Sequence, residues 1–166
     1  FFYHHNDYSP NFDKNRSARI EKLYFNEDGT IQEIKPTNRG VGPVKACQKV
    51  HIDRYSTIDG AAIEYLDTTD YFKGWKTVFA KAGDKVTFNE LNFGKKAPKT
   101  VILYVKAPQG GKFSLTAGKT AEIEIPAAAD WTEVSVPMPV KVKGMQNLEV
   151  AALSDSPVEI DWVQFR

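Results

Sequence analysis

Residues Trp75 to Gly94, WKTVFAKAGDKVTFNELNFG, decide the fold class of this chain. Trp75, Thr77, Phe79 and Lys81 alternate with Lys76, Val78, Ala80 and Ala82, and after a short interruption Val86 and Phe88 alternate with Lys85, Thr87 and Asn89. A period of two places successive side chains on opposite faces of an extended strand. Between the runs stands Gly83-Asp84. Glycine takes positive φ without steric penalty and aspartate bonds its own backbone, so the sequence predicts two strands joined as a hairpin by a tight turn. Leu91 and Phe93 return to the apolar side, but two residues, Asn89 and Glu90, separate Phe88 from Leu91. That slip predicts a bulge or short bend.

The same pattern continues on both sides. Short strands are predicted at Val50–Ile52, Ala61–Leu66, Thr100–Ala107, Gly111–Ala117, Ala121–Ile125, Trp131–Val136, Gln146–Leu153 and Val158–Phe165, with turn chemistry between them at Thr68–Asp70, Gly94–Pro98, Pro108–Gly111, Pro126–Asp130 and Ser154–Pro157. Many short strands with a turn every eight to twelve residues, and no stripe of period 3.6, predict an all-β antiparallel sandwich almost without helix. Thr100–Ala107 is apolar on both sides and should lie inside a sheet. In Val158–Phe165 the set Val158, Ile160, Trp162 and Gln164 should occupy one face, with Glu159, Asp161, Val163 and Phe165 on the other.

The first 46 residues read differently. Phe1 to Tyr3 looks like the middle of a buried strand, so the chain is expected to begin inside a domain. His4 to Arg16 is polar with a Ser-Pro and reads as a loop. Arg19 to Phe25, the turn Glu27-Asp28-Gly29 and Thr30 to Ile34 predict a β-hairpin. Lys35 to Val44, KPTNRGVGPV, has two Pro and two Gly and no periodicity, as a linker or wrapping segment would. The expected organisation is therefore 1–34, a linker over 35–46, and a sandwich over 47–166.

The 166 residues carry 22 basic and 21 acidic side chains, a balance that favours no polyanion and suits a neutral or weakly charged ligand. No apolar run approaches the ~20 residues a membrane helix needs, and any export signal is expected to have been removed or to lie outside this stretch. Cys47 is the single cysteine, which excludes an internal disulfide; a buried small apolar side chain is the expectation.

Four segments, KVHIDRYS (Lys49–Ser56), AGDKVTFNELNFG (Ala82–Gly94), DWTEVSVPM (Asp130–Met138) and VEIDWVQF (Val158–Phe165), together resemble a family 6 carbohydrate-binding module, a jelly-roll-like, galactose-binding-like sandwich, over about Cys47 to Arg166. FFYHHND and RSARIEKLYFNEDGTIQEIKPTNRGVG resemble the last strands of a family 43 glycoside hydrolase, whose catalytic domain is a five-bladed propeller. This implies the C-terminal part of a secreted, extracellular or periplasmic enzyme of the xylosidase or arabinofuranosidase type, acting on xylan or arabinoxylan. The catalytic domain would then be the sandwich's partner, and the N-terminal hairpin what remains of the propeller.

Glycoside hydrolysis needs two carboxyl groups flanking one bond. The propeller's acids would lie upstream, so the resemblance carries none onto this chain; Asp7, Asp13, Glu21, Glu27 and Asp28 read as solvated loop carboxylates. Adjacent His4 and His5 point to opposite sides of a strand and cannot share a metal. For the sandwich, the resemblance implies sugar binding by loop aromatics with a polar residue beside them: Tyr71 and Trp75 in DTTDYFKGW, Trp131, and Glu159 where the family has Asn. It also implies a structural Ca²⁺ site at Asp53 and Asp161, with His51 standing where the family supplies an oxygen. Ala127-Ala128-Ala129 replaces a Trp-bearing loop. A sandwich that only braces the catalytic domain is therefore the alternative, and burial of Tyr71, Trp75 and Trp131 would mark it.

Overall fold

The structure is a computed structural model and describes residues 1–6 and 17–166. In chain order its strands are β1 (Phe2–His5), β2 (Ser17–Ile20), β3 (Val44–Lys45), β4 (Val50–His51), β5 (Thr57–Asp59), β6 (Ala62–Tyr65) and β7 (Trp75–Phe79). There follow β8 (Lys85–Asn92), β9 (Thr100–Ala107), β10 (Gly111–Thr116), β11 (Thr120–Ile125), β12 (Ala128–Pro137), β13 (Met145–Ala152) and β14 (Val158–Phe165). One 3₁₀ turn, Tyr71–Lys73, is the helical content of the described residues, and none of their helices is long and apolar enough to cross a membrane.

Two six-stranded sheets form the sandwich. One runs β11-β10-β13-β8-β3, with β5 also on β8; the other runs β12-β9-β14-β7-β6, with β4 also on β14. Every pair is antiparallel except β3 with β8. The core lies between the sheets, where Phe79 meets Phe113 edge-on at 5.1 Å and Phe93 meets Phe165 at 4.9 Å. β9 sits inside its sheet between β12 and β14, and its Val101, Leu103, Val105 and Ala107 are buried.

The hairpin expected at Gly83-Asp84 does not form. β7 and β8 belong to different sheets, so the turn is a corner that carries the chain across the sandwich. Asp84 builds that corner: its Oδ2 accepts the amides of Ala80 at 2.7 Å and Lys81 at 3.1 Å, while its buried Oδ1 faces Gly60. A Cβ on Gly60 would stand 2.3 Å from that oxygen, which with a φ of +75° restricts the position to glycine. Alternation reveals a strand but not its partner, which is why sequence missed the crossing.

Two irregularities set which way side chains face. Asn89 and Glu90 lie opposite the single Asn147, the bulge the sequence predicts, and both Phe88 and Leu91 are fully buried. Glu90 has a φ of 57°, and its amide donates to Asn147 Oδ1. In β14 a register shift falls between Ile160 and Trp162, so Asp161 is an extra residue. Alternation therefore breaks: Val158, Ile160, Val163 and Phe165 join the core, and Trp162 moves to the outer face beside its register partner Tyr104. The expected face of Val158, Ile160, Trp162 and Gln164 is split by this bulge.

At the N-terminus, β1 pairs with β2, and the strand expected over Arg19–Phe25 stops at Ile20. The turn at 26–30 does form, with Asp28 Oδ1 accepting from Thr30 N and Oγ1 and a single bridge between Phe25 and Ile31. Phe1 and Phe2 are exposed, Phe2 by 80%, contrary to the buried strand expected there. His4 and His5 are in β1, not in a loop; Asp7 and Asp13 lie outside the described residues. The segment after Ile34 lies along the sandwich. Arg39 donates from Nε to the Asn89 carbonyl and from Nη2 to the carbonyls of Gly42 and Glu90, and Glu21 accepts from Thr37 N and Oγ1. Cys47 is exposed, against the expected burial, and its carbonyl accepts from Gln164 Nε2 at 2.6 Å.

Candidate functional site

The loop from Asp67 to Gly74 is held by its own polar side chains. Asp67 Oδ1 accepts from Thr69 N and Oγ1, and Asp67 Oδ2 receives Lys73 Nζ at 2.7 Å. The Lys73 ammonium holds the Asp67 carboxyl well below the usual carboxylate range, and the same bond raises Lys73. Asp70 caps the 3₁₀ turn by accepting from Phe72 N, and Gly74, with φ of 95°, leads the chain into β7 while its amide donates to the Tyr71 carbonyl. These bonds fix the backbone locally and turn its aromatics outward.

Three rings stack in series. Tyr65 is the register partner of Trp75 on neighbouring β6 and β7, and their centroids are 4.1 Å apart with planes 23° from parallel. Tyr71 lies on Tyr65 at 4.3 Å, and is 61% exposed. Phe72 is fully exposed. Of the residues singled out from sequence, Tyr71 and Trp75 are thus brought together, with Tyr65 between them. Tyr65 and Phe72 are additions that sequence reasoning missed. The register of β6 against β7 would have found Tyr65; the capping aspartate two residues before Phe72 was the available signal for its exposure.

Trp131 and Glu159 stand elsewhere. On the outer face of the β12-β9-β14 sheet Trp131 packs on Tyr104 at 5.3 Å, and Tyr104 stacks on Trp162 at 5.8 Å with planes 15° apart. Lys49 Nζ lies 3.9 Å from the Trp162 ring centre, and Trp162 is only 4% exposed. This is a second series of three rings, closed at one end by an ammonium. Glu159 Oε2 receives Lys76 Nζ at 2.8 Å, and Glu64 Oε2 lies 3.4 Å from the same nitrogen. Burial opposes the Lys76 charge, but these two carboxylates outweigh it and hold the ammonium above its ordinary range. Glu159 is therefore engaged in an ion pair instead of standing beside Tyr71 or Trp75.

Asp53 and Asp161 are both largely buried, near the end of β4. Asp161 Oδ1 is 2.9 Å from His51 Nδ1, a bond that raises the imidazole above its ordinary value. Burial raises Asp53 as well, favouring its neutral acid. Calcium takes six to eight oxygen ligands. Here an imidazole occupies one carboxylate, and no group of three His, Cys, Asp or Glu able to hold a metal exists among the described residues. This donor set does not suit calcium.

No family profile matches the sequence, and no curated protein does. Solved structures do share the fold. A family 43 arabinoxylan arabinofuranohydrolase from Bacillus subtilis, solved with cellotetraose, superposes with a TM-score of 0.66 at 20% identity, covering 90% of this chain and 34% of its own. This chain spans about a third of that enzyme. The module CsCBM6-3 from Clostridium stercorarium, in complex with cellobiose, gives 0.64 at 17% identity over 75% of this chain and 96% of the module. A family 6 carbohydrate-binding module from Clostridium cellulolyticum, in complex with xylose, gives 0.64 at 19% identity over 74% of this chain and 99% of the module. The sandwich of this chain is thus an antiparallel β-sandwich of the kind found in family 6 carbohydrate-binding modules.

Proposed function

We infer that this chain is a non-catalytic saccharide-binding sandwich and that the Asp67–Trp75 loop is its binding surface. The observation that carries this reading is the exposed end of the Trp75–Tyr65–Tyr71 stack beside Phe72 on a locally braced loop. A pyranose ring presents an apolar C–H face, and a fixed aromatic ring covers such a face with little loss of conformational freedom. Asp70, Thr69 and Lys73 border the rings and offer polar partners for hydroxyls. The complexes of similar modules with cellobiose and xylose support the class of ligand.

The similarity to the Bacillus enzyme reaches 15% more of this chain than that to the isolated modules does. This supports reading the N-terminal segment as the end of a family 43 catalytic domain, the sandwich as its appended module, and xylan or arabinoxylan, met outside the cytoplasm, as the polymer. A bracing role alone is favoured by the bonds of Arg39 to the Asn89 and Glu90 carbonyls and of Lys22 to Glu90, which tie that segment to the sandwich, and by the engagement of Glu159 with Lys76. Affinity electrophoresis separates the two. Soluble xylan in the gel is expected to retard the chain, and Tyr71→Ala to restore its mobility. Unchanged mobility in xylan, arabinan and mixed-linkage glucan alike would leave bracing as the function.

A further inference from the structure

Beyond the loop, one cavity of about 260 Å³ is lined by Arg39, Lys49, His51 and Arg54 with Val44 and Val50, and by no Asp or Glu. The arrangement follows from β4. Lys49 and His51 flank Val50 there, and the turn that closes it, with Arg54 N donating to the His51 carbonyl, brings Arg54 round to the same place. Arg39 enters from the preceding segment and is held by three backbone carbonyls, those of Asn89, Glu90 and Gly42. The valines contribute an apolar floor, since Val50 is 5% exposed.

The acids near this cavity lie beneath it. The side chains of Asp53 and Asp161 are 7% and 11% exposed, whereas those of Lys49 and Arg54 are 53% and 69% exposed. An approaching anion therefore meets the cationic heads first. Exposed acids also stand at the cavity's rim: Glu133, 3.8 Å from Lys49, and Glu90, which is paired with Lys22 and acts on the charge of Arg39, and solvent screens both. Lys49 also covers Trp162, so the cavity adjoins the ring series that leads through Tyr104 to Trp131. Cations over an apolar floor, next to aromatic rings, match a sugar that carries a carboxylate.

We propose that the cavity formed by Arg39, Lys49, His51 and Arg54 is an acidic-saccharide subsite that takes the carboxylate of a hexuronic acid residue. The proposal rests on the reading of the chain as a saccharide binder and extends it to charged polymers. The site is separate from the Tyr71 loop, so the two respond to different changes.

The test is titration calorimetry of the full chain with a neutral xylo-oligosaccharide and with the same backbone bearing one glucuronic acid branch, in 20 mM and 300 mM salt. The acidic ligand is expected to bind at least tenfold tighter in low salt, with most of that advantage gone in high salt. Lys49→Gln and Arg54→Gln, both at exposed side chains, should each remove several-fold of the advantage and leave the neutral ligand unchanged, and Glu133→Gln should increase it. Neutral binding with no gain from the uronic acid would overturn the subsite and leave the saccharide reading standing; binding of neither ligand would overturn both. Acetate or inorganic phosphate binding here as tightly as the branched ligand would identify a simple anion site and overturn the assignment to a sugar.

Discussion

Two series of three stacked rings occupy this sandwich and differ in how they end. Trp75–Tyr65–Tyr71 begins at a strand pair and finishes on a loop, with Tyr71 open to solvent and Phe72 beside it. Trp131–Tyr104–Trp162 crosses three adjacent strands and is closed at Trp162 by Lys49. A ring on a regular strand is flanked by neighbours on both sides, so it becomes part of the sheet. The 3₁₀ turn capped by Asp70 escapes that crowding and leaves ring faces uncovered. The first series is consequently shaped for a ligand and the second mainly for stability, although both are rich in the same residues.

Substitutions should separate the two series. Trp162→Ala removes a nearly buried indole and its contacts with Tyr104 and Lys49, and should cost about 3–5 kcal/mol in chemical denaturation. Loss below about 1 kcal/mol would mean that the sheet-face series does not carry stability. Tyr71→Ala should do the reverse: a stability loss of about 1 kcal/mol or less, with saccharide affinity falling about tenfold, equivalent to about 1.4 kcal/mol. Trp131→Ala, at the partly buried end of the second series, should cost about 1–2 kcal/mol of stability and leave neutral-sugar affinity unchanged.

A smaller effect concerns the ion pair beneath β4. The folded His51 binds its proton more tightly than the unfolded side chain, so its contribution is fully present below the ordinary imidazole value of 6.5 and is lost as pH rises through the higher folded value. Thermal melts should therefore show a decline in stability as pH rises above about 6.5 that His51→Gln flattens. Asp53, raised by burial, acts in the same direction at acid pH, since the folded state favours its neutral form. Adding calcium or a chelator should leave the melting temperature where it was, because the donor set does not suit the ion. A calcium-dependent rise of several degrees would show that Asp53 and Asp161 can rearrange around it.

Much of the sandwich was legible because burial on one face imposes a period of two on the sequence. β9 and β14 fall on their predicted bounds, and the slip at Asn89-Glu90 is a bulge. What was not legible is non-local. Nothing in AGDKV distinguishes a hairpin from a corner; the difference lies in Asp84 packing against Gly60, far away in sequence. The extra residue at Asp161 likewise leaves no local mark, since VEIDWVQF alternates acceptably in either register, and only Tyr104 across the sheet shows which face takes Trp162. For the site, Tyr71 and Trp75 could be read from their turn-rich loop, whereas grouping them with Trp131 and Glu159 required a distance that sequence does not hold.

The three tryptophans permit a direct test of where a neutral sugar sits, because each indole N–H gives its own resonance in a ¹H–¹⁵N spectrum. Titration with a neutral xylo-oligosaccharide should shift the Trp75 signal progressively, leave those of Trp131 and Trp162 in place, and need about tenfold more sugar in Tyr71→Ala. Movement of Trp131 with Trp75 unmoved would transfer the ligand to the sheet face and contradict the account, and three stationary signals at saturating sugar would remove the saccharide altogether.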